Sequence, residues 1–354
     1  MSIRRRNVLL AGLPLPFLSA CATGINQFRE RSDAALAKDL GVCAASYAVL
    51  RAGVPTAPIA VSGCDGEGTR TDAIFQAASL TKPVVAFAAL QLVRDGLLDL
   101  QAPVSHYLPH GYRHFHKAFA RSTSDAHDVV TSTSLSRVSV AQLLNHSSGL
   151  PNWASGTLSF AFEPGQRWGY SGEGFMLLQA VMEAVTRQDL SLHLNQHLFA
   201  RLGMADSSLV WRDDFAQRAV PGRTLFGTQA NSRFRQAVAA ASLYTTAADY
   251  ARFMSALLAD EKHLALTLEN PIGVDAALGL QWGRGWGIEQ ATGGPYIWQW
   301  GNNPGFRAFA MASVVSKDGF VILTNNDRGM ALAASVAHKV SAVEHAVFRF
   351  PWVG

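Results

Sequence analysis

Only three cysteines occur in 354 residues. That excludes a disulfide-dense scaffold, and no C-x-x-C pair is present to bind zinc or cycle as a dithiol. There is no H-E-x-x-H and no phosphate-binding glycine loop, so zinc-peptidase and nucleotide-hydrolase signatures are missing. Charge is also scarce. Charged residues make up 16% of the chain, the net charge is +4, and no long basic run lies outside the N-terminus. Nucleic acid is therefore not an expected partner. What the chain does have is length and apolar content, 49% hydrophobic, enough to bury a large core.

The N-terminus reads as an export signal over residues 1–20. Arg4, Arg5 and Arg6 precede an apolar run over 8–18 that Pro14 and Pro16 interrupt and that is too short to span a bilayer. Leu18-Ser19-Ala20-Cys21 resembles the lipobox of bacterial lipoproteins. That resemblance implies a lipid anchor on Cys21, a periplasmic location at a membrane, and a tether over 21–40. Residues 43–51 and 57–64 read as two strands joined by a turn at Gly53-Val54-Pro55. Such a hairpin sets Cys43 opposite Cys64; a disulfide and two separate buried thiols are both open.

Ala77-Ala78-Ser79-Leu80-Thr81-Lys82-Pro83 opens an apolar run that ends at Asp95-Gly96. Proline is tolerated in a helix's first turn, so Pro83 predicts a buried helix starting near Ser79 or Leu80. Ser79 then lies at the helix N-terminus, and Lys82 projects from the same face one turn later. A hydroxyl beside a buried amine is the equipment of an activated serine nucleophile. An N-capping serine with a surface lysine would look the same in isolation. Tyr170, in the glycine-rich turn Trp168-Gly169-Tyr170-Ser171-Gly172, is a candidate base with a lowered pKa if it lies near a buried lysine. It could equally be a packed aromatic. His106, His110, His114 and His116 fall within one short segment; Pro109 and Gly111 argue against a helix there, and a solvated loop without metal is the reading.

Helices are predicted near 140–146, 174–187, 190–202, 246–259 and 331–348, and the unpatterned polar stretch over 111–137 reads as a long loop or a pair of short helices. Strands are expected over 285–289, 296–301, 306–315 and 319–324. Strands at both ends and helices between them predict an α+β domain over 41–354. Its antiparallel sheet draws on both termini and is flanked by helices, with a mainly helical insertion over about 100–280.

Together these pieces resemble the class C β-lactamase type of serine hydrolase, a group that includes DD-peptidases and family VIII carboxylesterases. Ser79-Leu80-Thr81-Lys82 matches its S-x-x-K motif, and Tyr170-Ser171-Gly172 falls where the family has Y-x-N. His146-Ser147-Ser148-Gly149-Leu150 and Ser242-Leu243-Tyr244-Thr245-Thr246 resemble two further segments. Gln299-Trp300-Gly301 falls at the third motif. The resemblance implies an acyl-enzyme on Ser79, proton transfer by Lys82 and Tyr170 as a coupled pair, and an oxyanion hole from the amides of Ser79 and Asn302. It implies a small acyl substrate and neither metal nor organic cofactor.

The departures bear on substrate. The family's third-motif cation is replaced by Gln299, and its Y-x-N asparagine by Gly172. A neutral amide cannot supply a charge-assisted hydrogen bond, about twice as strong as a neutral one. Grip on an anionic, amide-bearing substrate should weaken while the nucleophile is untouched. Trp300 and Trp153 would suit an apolar acyl or alcohol group, and Arg307 could partly restore carboxylate binding. The expectation is an exported hydrolase of esters or small acyl substrates. A β-lactamase or DD-peptidase-type hydrolase is the first alternative, and a non-catalytic envelope binding protein the second.

Overall fold

The computed structural model describes residues 31–353, apart from 67, 118, 120, 121, 123, 230–232 and 342. The export segment and Cys21 lie outside the described residues. The N-terminal part holds helix α1 (Asp33–Leu40) and strands β1 (Ala45–Arg51), β2 (Val54–Pro55), β3 (Ile59–Val61) and β4 (Phe75–Ala78). Helix α2 (Thr81–Arg94), the β5 (Tyr112–Phe115) and β6 (His127–Val130) hairpin, α3 (Val140–Leu144) and α4 (Gly172–Thr186) follow. A small hairpin of β7 (Gly222–Thr224) and β8 (Gly227–Gln229) precedes β9 (Leu243–Thr245) and α5 (Ala247–Ala259). The C-terminal part supplies β10 (Ile272–Asp275), β11 (Leu280–Trp282), β12 (Gly287–Ala291), β13 (Gly294–Asn303), β14 (Phe306–Ser313) and β15 (Gly319–Thr324). Helix α6 (Gly329–Val340) closes it.

Both ends meet in one nine-stranded antiparallel sheet, ordered β10-β11-β12-β13-β14-β15-β1, with β2 and β3 sharing the far edge of β1. The register runs from Ala45↔Thr324 to Leu50↔Gly319. Side chains alternate across the sheet with period two. Along β14, Ala308, Ala310 and Ala312 face a core shared with α2, α4 and α5. Phe309 and Met311 face a second core shared with α1 and α6. Small residues on one face let the helical layer approach closely; large ones on the other fill the space under α6. Fully burying a side chain such as Phe309 or Ile322 contributes about 1.5–3 kcal/mol against the entropy of ordering the chain.

Local chemistry sets the helix ends. Thr246 caps α5 by accepting from Asp249 N at 3.1 Å, and a Ser139–Gln142 capping box starts α3. Pro83 lies in the first turn of α2, as its missing N–H requires. Cys43 and Cys64 are joined by a disulfide, with their Cα atoms 4.7 Å apart.

The chain departs from the sequence-based expectation in several places. The polar stretch over 111–137 contains the β5–β6 hairpin, with Tyr112 opposite Val130. The helix over 190–202 is interrupted by a π-helical turn at Asn195–Phe199. Strands resume at Ile272, earlier than 285. The last helix ends at Val340, and only a 3-10 turn, Ala346–Arg349, follows. No helix among the described residues is long and apolar enough to cross a membrane.

Candidate active site

Ser79 follows β4 directly, and its position is set by an irregular backbone. β4 pairs with β9, but the register shifts between Gln76 and Ala78, and Ala78 holds φ +49°. A non-glycine residue in that region carries strain that the surrounding fold must hold. Asn303 Nδ2 ties Gln76 Oε1 at 2.9 Å, and the Thr81 hydroxyl donates to Ala78 O at 2.6 Å and accepts from Leu243 N at 2.9 Å. These contacts turn Ser79, half-buried and reachable, toward the N-terminus of α2.

Lys82 is buried one turn along. Its Nζ lies 3.1 Å from Ser79 Oγ and 2.8 Å from Ala240 O, and 4.7 Å from the centre of the Tyr170 ring. Burial alone pulls the amine down to about 7. Moving a cation out of water disfavours it, and a carbonyl dipole and ring faces do not replace the lost hydration. At neutral pH a large fraction of Lys82 is therefore a free amine within hydrogen-bond reach of Ser79 Oγ.

Tyr170 precedes α4, whose N-cap Ser171 accepts from Gly174 N at 2.8 Å. Its hydroxyl hydrogen-bonds with Ser79 and accepts from Gln299 Nε2 at 3.1 Å. Burial raises its pKa, opposite to the lowered value expected from sequence. The reason is packing: the ring lies against the tilted rings of Trp300 and His146, each 4.5 Å away centre to centre, and Lys82 lies over the ring face, not in ion-pair contact with the oxygen. Tyr170 thus keeps its proton at neutral pH. His146 is buried and held neutral by burial and by Lys82; its Nδ1 accepts from Ser171 N at 3.1 Å.

Gln299 also reaches Ser79 O at 3.4 Å. Beyond Trp298 strand β12 no longer pairs with β13, so residues 299–303 have one edge without a strand partner, and Asn302 is exposed there. Gly301 is explained by its own chain: a Cβ there would lie 2.4 Å from Ala77 O. A Cβ at Gly172 would lie 2.5 Å from Asn152 O and 3.0 Å from the Trp153 indole. Trp153 thus fills the space a side chain at 172 would need, and its ring lies 5.4 Å from Phe119. Arg307 is already engaged. Its Nη1 donates to Asp327 Oδ1 at 2.8 Å and to the Phe306 and Asn303 carbonyls.

Four contributors were not singled out from the sequence. The Ala240 carbonyl is a backbone group and leaves no sequence signal. Trp168 and Trp282 lie 6.3 and 5.9 Å from the Tyr170 ring, and Trp352 lies 5.8 Å from it and 6.2 Å from Trp300. The aromatic run Phe348-Arg349-Phe350-Pro351-Trp352 was the available clue. Of the four clustered histidines, His106 and His110 are exposed. His114 is buried, so the solvated-loop reading fails there. His114, His116 and Asp128 could hold a metal ion, apart from the serine site.

The Beta-lactamase family model matches residues 34–343. Esterase EstB from Burkholderia gladioli is 32% identical over 177 residues, covering 41% of this chain and 41% of that protein. Lovastatin esterase from Penicillium rubens is 27% identical over 229 residues, covering 54% and 56%. The chain thus matches about half or less of the length of these relatives. D-alanine carboxypeptidase AmpC from Burkholderia cenocepacia shares the fold, with a TM-score of 0.72 at 17% identity over 90% of this chain and 99% of that one.

Proposed function

Because this chain belongs to the beta-lactamase family and is a serine hydrolase, we propose that Ser79 is its acyl-enzyme nucleophile and that its substrates are neutral esters or related small acyl compounds. The observation that carries the chemistry is the buried Lys82 amine, 3.1 Å from Ser79 Oγ and drawn down to about 7. The free amine takes the Ser79 proton as Oγ attacks the carbonyl. The amides of Ser79 and Asn302 receive the oxyanion, each such donor being worth about 10²–10³ in rate. Collapse expels the alcohol, which takes its proton from Lys82 by way of the Tyr170 hydroxyl. Water then attacks the acyl-enzyme and gives a proton to Lys82; collapse breaks the bond to Ser79 Oγ, Lys82 returns that proton to Oγ, and the acid leaves.

The neutral substrate class rests on the missing cation. Gln299 stands at the third motif and is spent on Tyr170, and the charge of Arg307 is met by Asp327. The exposed Trp352 and the half-buried Trp168 offer aromatic surface instead, whereas Trp300, expected from sequence to meet the substrate, is buried against Tyr170. Two of the relatives bear esterase names. A second reading, a β-lactamase or DD-peptidase-type hydrolase, is favoured by the family match and by the solved structures that share the fold. It uses the same Ser79 chemistry. Export is supported by the Cys43–Cys64 disulfide, which persists in an oxidising compartment; the Cys21 lipid anchor rests on the lipobox alone.

The test sets the chain beside its Ser79→Ala variant on a short-chain nitrophenyl ester and a chromogenic cephalosporin. Ser79-dependent ester turnover with little cephalosporin loss is expected. Faster cephalosporin loss would move the assignment to the second reading, and turnover that survives Ser79→Ala would remove Ser79 as nucleophile.

A further inference from the structure

The β5–β6 hairpin gathers groups that the serine chemistry does not use. His114 is on β5 and His116 lies just past its end, two residues on, where His116 N still donates to Ala126 O, so the two side chains share one face of the extended chain. Asp128 is paired directly across from His114. Asp128 Oδ1 lies 2.8 Å from His114 Nδ1 and 3.2 Å from His116 Nε2, and the three donor atoms all fall within 4.8 Å of one another. Donors about 2 Å from a tetrahedral ion stand roughly 3.3 Å apart, so small side-chain movements open the cluster to one.

A second observation points the same way. His114 is 1% exposed, and its other ring nitrogen, Nε2, makes no hydrogen bond. It faces Glu173 Oε2 at 3.4 Å, a carboxylate that is itself buried. An imidazole that binds metal through one nitrogen and turns the other toward a carboxylate is the usual arrangement around a bound ion, because the carboxylate fixes the tautomer and makes the ligand more basic. Two carboxylates and two imidazoles in one pocket also leave negative charge that a divalent cation would balance.

We propose that His114 Nδ1, His116 Nε2 and Asp128 Oδ1 form a binding site for a divalent first-row transition ion such as zinc, with Glu173 behind His114. Two imidazoles and a carboxylate suit such an ion better than magnesium or calcium, which prefer all-oxygen sites. The site is structural in its reach. Glu173 is in the first turn of α4, three residues after Tyr170, and its Oε1 accepts from Ala154 N at 3.0 Å. The ion would therefore tie the hairpin to the start of α4 and to the loop that carries Trp153.

The full chain, with Cys21→Ser to remove a competing thiol, is stripped with chelator and titrated with zinc(II) against a chromophoric indicator. Cobalt(II) serves as a spectroscopic probe. One equivalent bound per chain, with a rise in Tm, is expected. His116→Ala, on a partly exposed side chain that the fold does not need, and Asp128→Asn should each weaken binding at least tenfold. Glu173→Gln should weaken it by about 10–100-fold, the range for a carboxylate behind a ligand. A control that removes both His193 and His197, whose ring centres lie 4.7 Å apart elsewhere, should leave binding intact. No zinc uptake, which a metal-free Asp128–His114–Glu173 cluster would give, overturns the proposal. So does uptake that His116→Ala leaves unchanged or that follows His193 and His197.

Discussion

The surroundings of Lys82 and of His114 handle buried ionisable groups in opposite ways. Lys82 is surrounded by a carbonyl, a hydroxyl and aromatic faces, and burial alone shifts its proton equilibrium. His114 is enclosed by Asp128 and Glu173. The first arrangement leaves a charge unmet so that the group gives it up, which is what a base for Ser79 requires. The second sets a carboxylate beside each ring nitrogen, which fixes a hairpin in place. One leaves an amine that burial disfavours, as the proposed base would need; the other is held by its neighbours.

The contrast breaks most sharply at Lys82. Lys82→Met should lower kcat by about 10⁴-fold, the upper range for loss of a proton-transfer group. It should also raise Tm at pH 6, because an apolar chain of similar volume replaces an amine that burial disfavours. Activity lost together with stability would show that Lys82 is paired in a way the geometry does not record. At the other cluster the sign reverses. Glu173→Ala, measured in chelator by denaturant unfolding, should cost about 3 kcal/mol, since it strips a buried partner from His114 and from Ala154 N. A neutral result would end the comparison.

The pH profile sharpens it further. Below about 7 Lys82 gains a proton and can no longer accept one from Ser79, so kcat/KM on a neutral ester should fall by about tenfold per unit and level off above. Linkage has the same origin. The unfolded chain holds that proton up to about 10.5 and the folded chain only to about 7. Stability from this group therefore rises with pH across that window, and the rise should be missing in Lys82→Met. The smallest effect concerns Gly172. Gly172→Asn forces a side chain against Asn152 O and Trp153, and unfolding should show a loss of about 1–3 kcal/mol from overpacking.

The legible parts of this molecule were those fixed by local rules. Pro83 marked the start of α2 and so placed Ser79 and Lys82 on one turn, and alternation marked the sheet strands near the C-terminus. The β5–β6 hairpin was not legible, because the residues that alternate there are histidines and not apolar side chains. Four histidines in sequence do not say that two share one face of the extended chain while two point to solvent, and Asp128 joins them only through pairing. The direction of the Tyr170 shift was missed for a related reason. It depends on Trp300, His146 and Trp282 closing round the ring, contacts between segments far apart in the chain.

The pairing of Ala45 with Thr324 bears on how the chain is made. Strand β1 is among the first elements translated, yet its main neighbour β15 is among the last. Closing contacts of such long sequence separation is entropically slow, and β1 cannot join β15 until nearly the whole chain is available. During synthesis β1 waits without β15 beside it, so the nascent chain stays open late. For a protein read here as exported, that delay leaves a threadable chain while a translocation channel still has it in hand.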